Sequence, residues 1–209
     1  RLILRVGGSM GDVYGQRLLK RDLNGYILNE EGVGLAMENK ETYLGSILPK
    51  MNMGWSLGFG YKGVNLGMTF TGRFGGIVIS ETQSVLDAAG VSKVSADVRD
   101  AGGVQINQGK VSAQTYYQAI QGTAAYYTYS ATNVRLGELS LSYTLPKKWF
   151  DNKVGMTVGL VGKNLWMIYC KAPFDPELTT SAASNFYQGF DAYMLPSTRN
   201  FGFNIKFQF

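Results

Sequence analysis

The chain has 209 residues, of which 45% are hydrophobic and only 17% charged. Soluble domains carry about 25% charge, and disorder through low hydropathy is excluded. Its 20 Lys and Arg against 15 Asp and Glu give +5, spread along the chain without the basic run of a nucleic-acid footprint. Histidine is absent and Cys170 is the single cysteine, which removes histidine-based acid–base chemistry, most zinc sites and any internal disulfide.

Arg1 leads directly into Leu2-Ile3-Leu4, with no basic-then-apolar leader, and residues 1–6 are expected to form a weakly patterned strand. Residues 7–48 hold the turn signals Gly7-Gly8, Asn24-Gly25 and Glu30-Glu31-Gly32 and form a first long connection. From Lys50 to Gly60, Met51, Met53, Trp55, Leu57 and Phe59 alternate with Asn52, Gly54, Ser56 and Gly58. That period-2 run is long for a soluble strand and right for one crossing a bilayer. Tyr61-Lys62-Gly63 predicts a tight hairpin into Val64, Leu66, Met68 and Phe70, which alternate with Asn65, Gly67, Thr69 and Thr71.

Residues 74–132 form a second long connection. Within it, residues 81–89 followed by Gly90 predict a short helix with a glycine cap. Residues 115–130 carry Tyr116, Tyr117, Tyr126, Tyr127 and Tyr129. Over 133–145, Val134 and Leu136 change phase to Leu139, Leu141, Tyr143 and Leu145, so a bulge is expected at Gly137-Glu138. A polar turn over 146–153 contains Trp149 and Phe150; Val154, Met156, Val158 and Leu160 then alternate with Gly155, Thr157 and Gly159. After a third long connection over 167–196, Phe201, Phe203, Ile205, Phe207 and Phe209 alternate with Gly202, Asn204, Lys206 and Gln208.

No run of about 18 apolar residues exists, so no transmembrane helix is predicted. Short and long connections alternate strictly, which is the layout of an up-and-down outer-membrane barrel with short periplasmic turns. The apolar face is Leu, Met, Phe and Trp, and the other is Gly, Asn, Ser and Thr; a water-facing sheet carries more Lys and Glu. About six strands are too few to close a barrel, and open edges in lipid cost several kcal/mol per unpaired group. The expected fold is therefore all-β: the C-terminal segment, about six antiparallel strands, of a large transmembrane β-barrel with long extracellular loops. The competing expectation is a soluble β-sandwich, a structural module or one that binds carbohydrate through its tyrosines. No nucleophile–base pair stands out, so no enzyme activity, cofactor or metal is expected.

Several short motifs occur in order along nearly the whole chain. They are Gly11-Asp12-Val13-Tyr14-Gly15, Arg21-Asp22-Leu23-Asn24-Gly25, Tyr61-Lys62-Gly63 with Gly75-Gly76, and the stretch from Val134-Arg135-Leu136-Gly137-Glu138 to Leu145-Pro146. Asn164-Leu165, Phe174-Asp175-Pro176-Glu177, Gln188-Gly189-Phe190-Asp191 and Leu195-Pro196-Ser197-Thr198-Arg199-Asn200-Phe201-Gly202-Phe203 follow. Together they resemble the C-terminal end of SusC/RagA-type TonB-dependent outer-membrane transporters. The resemblance implies a barrel of about 22 strands with an N-terminal plug. It also implies a SusD-like surface lipoprotein as lid and import of oligosaccharides or peptides on energy relayed by TonB. Residues 1–209 would then be the C-terminal portion of the barrel, with the plug, the TonB-contacting N-terminal region and the earlier strands absent from this chain. The implied partners are the rest of the barrel and plug, the lipoprotein, TonB, the outer-membrane lipid of a Gram-negative bacterium and the substrate, with no nucleic acid.

The terminal aromatics Phe201, Phe203, Ile205, Phe207 and Phe209 resemble a membrane-insertion signal; the plainer alternative is contact with lipid alone. Tyr126, Tyr127, Tyr129 and Tyr187 offer flat apolar faces with hydroxyl handles suited to sugars or peptides, or to a lid. The plainer alternative for these is packing of loop on loop. Trp149 and Phe150, beside Lys147 and Lys148, are expected to anchor the periplasmic interface. Asp175-Pro176-Glu177 is expected to be a structural turn rather than a calcium site.

Overall fold

A computed structural model describes residues 2–30, 34–150, 154–178 and 189–208, with Lys147 and Phe150 described by backbone only. In chain order the elements are β1 (Asp12–Leu19), β2 (Asn29–Glu30), β3 (Gly34–Leu35), β4 (Met37–Ser46), β5 (Met51–Tyr61), β6 (Val64–Phe74) and β7 (Ile77–Ser80). Helices α1 (Glu81–Ala88) and α2 (Lys93–Asp100), strands β8 (Val104–Ile106) and β9 (Gly109–Val111), and helix α3 (Ala113–Ile120) follow. The chain then forms β10 (Thr128–Ser130), β11 (Asn133–Thr144), β12 (Gly155–Cys170), β13 (Phe190–Asp191) and β14 (Asn200–Gln208). Two compact units result. One gathers Arg1–Leu48, Gly76–Ser130 and Pro176–Met194, the long connections; the other gathers Pro49–Gly75, Ala131–Asp175 and Leu195–Phe209, the long strands.

The strand unit is one antiparallel sheet in the order β14-β12-β11-β6-β5. Its first hairpin is fixed by backbone chemistry. Lys62 and Gly63 both have positive φ, at 45° and 88°, and Tyr61 pairs with Val64, which is the two-residue turn whose twist suits antiparallel strands. A Cβ at Gly63 would lie 2.9 Å from the Thr144 carbonyl, and the Gly63 carbonyl accepts the Thr144 N–H at 2.8 Å. The bulge predicted at Gly137-Glu138 is present: β11 shifts register between Leu136 and Glu138 against both neighbours. It returns Leu139 and Leu141 to the apolar side after Leu136.

The connection unit is built differently. β1 pairs with β4 through two register irregularities, and β7 lies between antiparallel β10 and parallel β13. Ser80, Ser92 and Ser112 cap α1, α2 and α3, each side chain accepting an N–H three residues on. Leu19, Ile27, Ile106, Tyr117, Ile120 and Tyr127 form its larger core, and Val13, Ile47 and Ile79 a smaller one.

Two expectations change. The described part of 1–6, residues 2–6, does not form a strand. Leu2 makes one isolated bridge to Val13, and a turn closed by Gly8 N–H on the Arg5 carbonyl ends the extended stretch. Leu4 and Val6 are exposed. The all-β description holds for the long strands, whereas the connections also carry α1, predicted over 81–89, and the unpredicted α2 and α3.

Candidate functional site

The sheet has two chemically distinct faces, and register aligns each across all strands. Phe59, Leu66, Leu141, Leu160 and Phe203 stand side by side, as do Leu57, Met68, Leu139, Gly162 and Phe201. Trp55 and Phe70 pair within the same face with ring centroids 6.0 Å apart. These side chains face no second layer in their unit: Trp55 is 62% exposed and Phe203 63%. Gly162 leaves a notch of about 260 Å³ walled by Leu139, Leu141, Leu160, Leu165 and Phe201. The opposite face is small and polar. Ser56 and Thr69 share a hydrogen bond of 3.1 Å, Thr144 and Thr157 one of 3.2 Å, and Glu138 lies 3.8 Å from Lys163.

Aromatic residues cluster at both ends of the strands. Tyr61, Tyr143 and Phe207 lie at the ends joined by short turns; Phe74, Trp166, Tyr169 and Phe201 lie toward the ends joined by long connections. Trp149, on a 3-10 turn over Lys147–Phe150, is exposed. Of the terminal apolar residues, the four described, Phe201, Phe203, Ile205 and Phe207, are exposed on the edge strand β14. Phe209, Tyr187 and the Phe150 side chain lie outside the described residues.

At the long-connection end, Arg135 bonds both carboxylate oxygens of Asp175, at 2.7 and 3.0 Å. Its Nε and one terminal nitrogen also reach Asn133 Oδ1 at 3.3 Å. The pair is nearly buried, so Asp175 braces the turn after β12 against β11 through a charge-assisted fork.

In the connection unit the tyrosines are packed among one another. Tyr127 is buried, and the Tyr126 hydroxyl accepts the Leu19 N–H at 2.8 Å. Tyr129 pairs with Val78, and Tyr116 meets Tyr117 edge to face at 5.1 Å. Burial, and then the charge of Asp87, holds the hydroxyl pKa of Tyr117, Tyr127 and Tyr129 above the ordinary tyrosine value of 10.0. Asp87 is itself buried and accepts from Gln83 Nε2 at 2.7 Å.

Cavities open among these elements, two of them beside the buried carboxylates Asp87 and Asp191. One, of about 440 Å³, has Asp87, Ser95, Arg99, Gln114 and Tyr117 in its walls. The other, of about 270 Å³, is bounded by Ser80, Ser84, Thr123, Tyr127, Phe190 and Asp191 among others. Ser80 Oγ donates to Asp191 Oδ2 at 2.6 Å, but with no imidazole in the chain this pair lacks the proton relay of a nucleophilic site. No cluster of three metal-ligating side chains occurs among the described residues.

No family model matches the sequence, and no curated protein matches it. Solved structures do. A chain of the RagAB peptide transporter matches with a TM-score of 0.51 at 21% identity over 74% of this chain. The RagAB peptide importer in its closed-closed state matches with a TM-score of 0.46 at 20% identity over 75%. The likeness is one of fold. This chain spans 18% of the length of the transporter chains it matches, and those structures are transporters rather than enzymes.

Sequence patterns pointed to the terminal aromatics, the tyrosines and Trp149, but not to Arg135, Asn133, Ser80, Thr123 or Asp191 as sites. Asp191 and Asp175 stand inside the quoted motifs, and a buried carboxylate has no local sequence signal when its partner is 40 or 111 residues away.

Proposed function

We propose that this chain forms the C-terminal strands and outer connections of a SusC/RagA-type importer in the outer membrane of a Gram-negative bacterium. It would carry peptides or oligosaccharides, be energised through TonB and work with a SusD-like surface lipoprotein. The observation that carries this reading is the five-stranded sheet whose apolar face is both continuous in register and exposed. In water each large apolar side chain left out forfeits about 1.5–3 kcal/mol of burial; lipid supplies what a second layer does not. An 11-residue strand such as β5 spans roughly 36 Å, or about 26 Å of depth at the usual tilt of about 45°, matching the apolar band of an outer-membrane barrel.

The fold likeness to a peptide transporter supports the same reading. The edge strands β5 and β14 would pair with neighbouring barrel strands, since open edges in hydrocarbon are costly. The terminal aromatics would serve insertion, and Trp149 with Phe150 would anchor the periplasmic rim. Tyr126, Tyr127, Tyr129 and Tyr187 belong to the connections that would face substrate and lid. Fractionation tests the whole reading. The native polypeptide is expected in the outer membrane, resistant to carbonate and released by detergent, with peptide or oligosaccharide uptake lost when TonB is deleted. A detergent-independent soluble monomer overturns it.

A further inference from the structure

We infer that the cavity between Ser80, Thr123, Tyr127, Phe190 and Asp191 receives the cationic side chain of a basic residue in a peptide ligand, an inference that rests on the peptide-importer reading above. Asp191 is only 5% exposed. Its Oδ2 accepts the Ser80 hydroxyl at 2.6 Å, while its Oδ1 has no hydrogen-bond donor among the described residues. Thr123 Oγ1, in the same wall, is also buried and without a partner among them. A buried carboxylate bonded on one oxygen to a neutral hydroxyl is poorly compensated for the water it has lost. Glu81 adds a second carboxylate to the lining, and neither Lys nor Arg contributes to it.

The remaining walls suit what a basic side chain brings with its charge. Ile79, Ala124 and Ala192 offer apolar surface to an alkyl stem, and Tyr127 and Phe190 add aromatic residues to the lining. The volume, about 270 Å³, is many times the roughly 30 Å³ share of one water, so a single bridging water does not fill it. The site is also preorganised. Asp191 is held opposite Ser80 by the β13–β7 pairing, and the Gly189 carbonyl accepts the Ile79 N–H at 2.8 Å. Gly189 has φ +81°, and a Cβ there would lie 2.6 Å from Ile47. Ser80 meanwhile accepts the Gln83 N–H at 3.0 Å as the cap of α1. Support of that helix start accounts for Oδ2, but not for Oδ1 or the Thr123 hydroxyl, neither of which has a partner among the described residues.

The test uses the native full-length protein in detergent and N-acetylated peptides differing at one position, lysine, acetyl-lysine or norleucine, with binding read by calorimetry. The lysine peptide is expected to bind at least tenfold more tightly than the other two. In Asp191→Asn that preference should vanish while affinity for the norleucine peptide is unchanged and the melting temperature stays within a few degrees. Equal affinities in the wild type, or a preference that survives Asp191→Asn, overturn the cavity's role and leave peptide import standing. If no peptide binds but n-butylammonium does, and only with Asp191 intact, the peptide reading fails and a cation site remains. If Asp191→Asn does not fold, the wild-type comparison and Thr123→Val, expected to weaken lysine binding selectively, still decide.

Discussion

In the strand unit Trp55, Leu160 and Phe203 are each more than half exposed, whereas in the connection unit Val13, Val78 and Tyr117 are buried. The same fraction of apolar sequence thus meets two fates in one chain. The connections wrap two cores of their own. The sheet, one layer thick within its unit, keeps its apolar rows for something else. What separates them is periodicity: strict alternation concentrates apolar residues on one face of a ribbon, while the irregular sequence of the connections lets helices and short strands wrap a core.

Alkali should separate the units most strongly. Tyr117 and Tyr127 are buried with pKa values raised above 10.0 by desolvation and the Asp87 charge. Because the folded pKa lies above the unfolded one, their stabilisation is fully present below pH 10 and falls as pH rises beyond it. Each tyrosine kept protonated then disfavours the fold by about 1.4 kcal/mol per pH unit. Limited proteolysis between pH 9 and 12 is expected to open 81–130 first, with tyrosinate absorbance rising in step and the long strands protected. Simultaneous cleavage of both units would erase the distinction.

The strand unit buries the Arg135–Asp175 pair, and removing it should matter next most. Arg135→Met leaves Asp175 buried without its fork, a change of about 3–5 kcal/mol. Urea unfolding in lipid vesicles should register the loss. A shift below 1 kcal/mol would mean that the turn after β12 is held by other contacts.

An arginine on the apolar face sharpens the contrast further. If the proposed barrel forms, Leu141→Arg, placed among Leu66 and Leu160, is expected to destabilise it by about 2–4 kcal/mol and to lower its outer-membrane yield. Ser142→Arg, one residue on and facing the polar side, should do far less. If Leu141→Arg instead improves solubility with no loss of assembly, water wets that face.

The contrast also explains what was legible in the sequence. β5, β6, β11 and β14 appear within three residues of the boundaries read from alternation, and the Gly137 bulge where the phase slipped. β12 runs on to Cys170, ten residues past the last clean alternation at Leu160, because irregular pairing near Asn164, at φ +54°, and a second shift near Ile168 break the period without ending the strand. β1 and β4 were hidden for the same reason: their register slips twice. α2 and α3 carry the same local signals as α1, eight residues behind a capping serine with Gly102 or Gly122 two residues past the end, so they were as legible as the helix that was predicted. The buried pairs Arg135–Asp175 and Ser80–Asp191 join residues far apart in sequence, which only the fold brings together.

Those capping serines provide the smallest and most local test. Ser112 Oγ accepts the Thr115 N–H at 3.1 Å and shares a hydrogen bond of 2.8 Å with its hydroxyl, while α3 buries Tyr117 and Ile120 in the larger core. Ser112→Ala frees one N–H and is expected to destabilise by about 1 kcal/mol. Because the connection unit holds its own core, the change should appear as faster amide exchange over 113–120 and leave exchange in β5, β6 and β11 untouched. If protection in those strands falls equally, the two units unfold as one cooperative body and the separate fates of their apolar residues do not amount to separate stabilities.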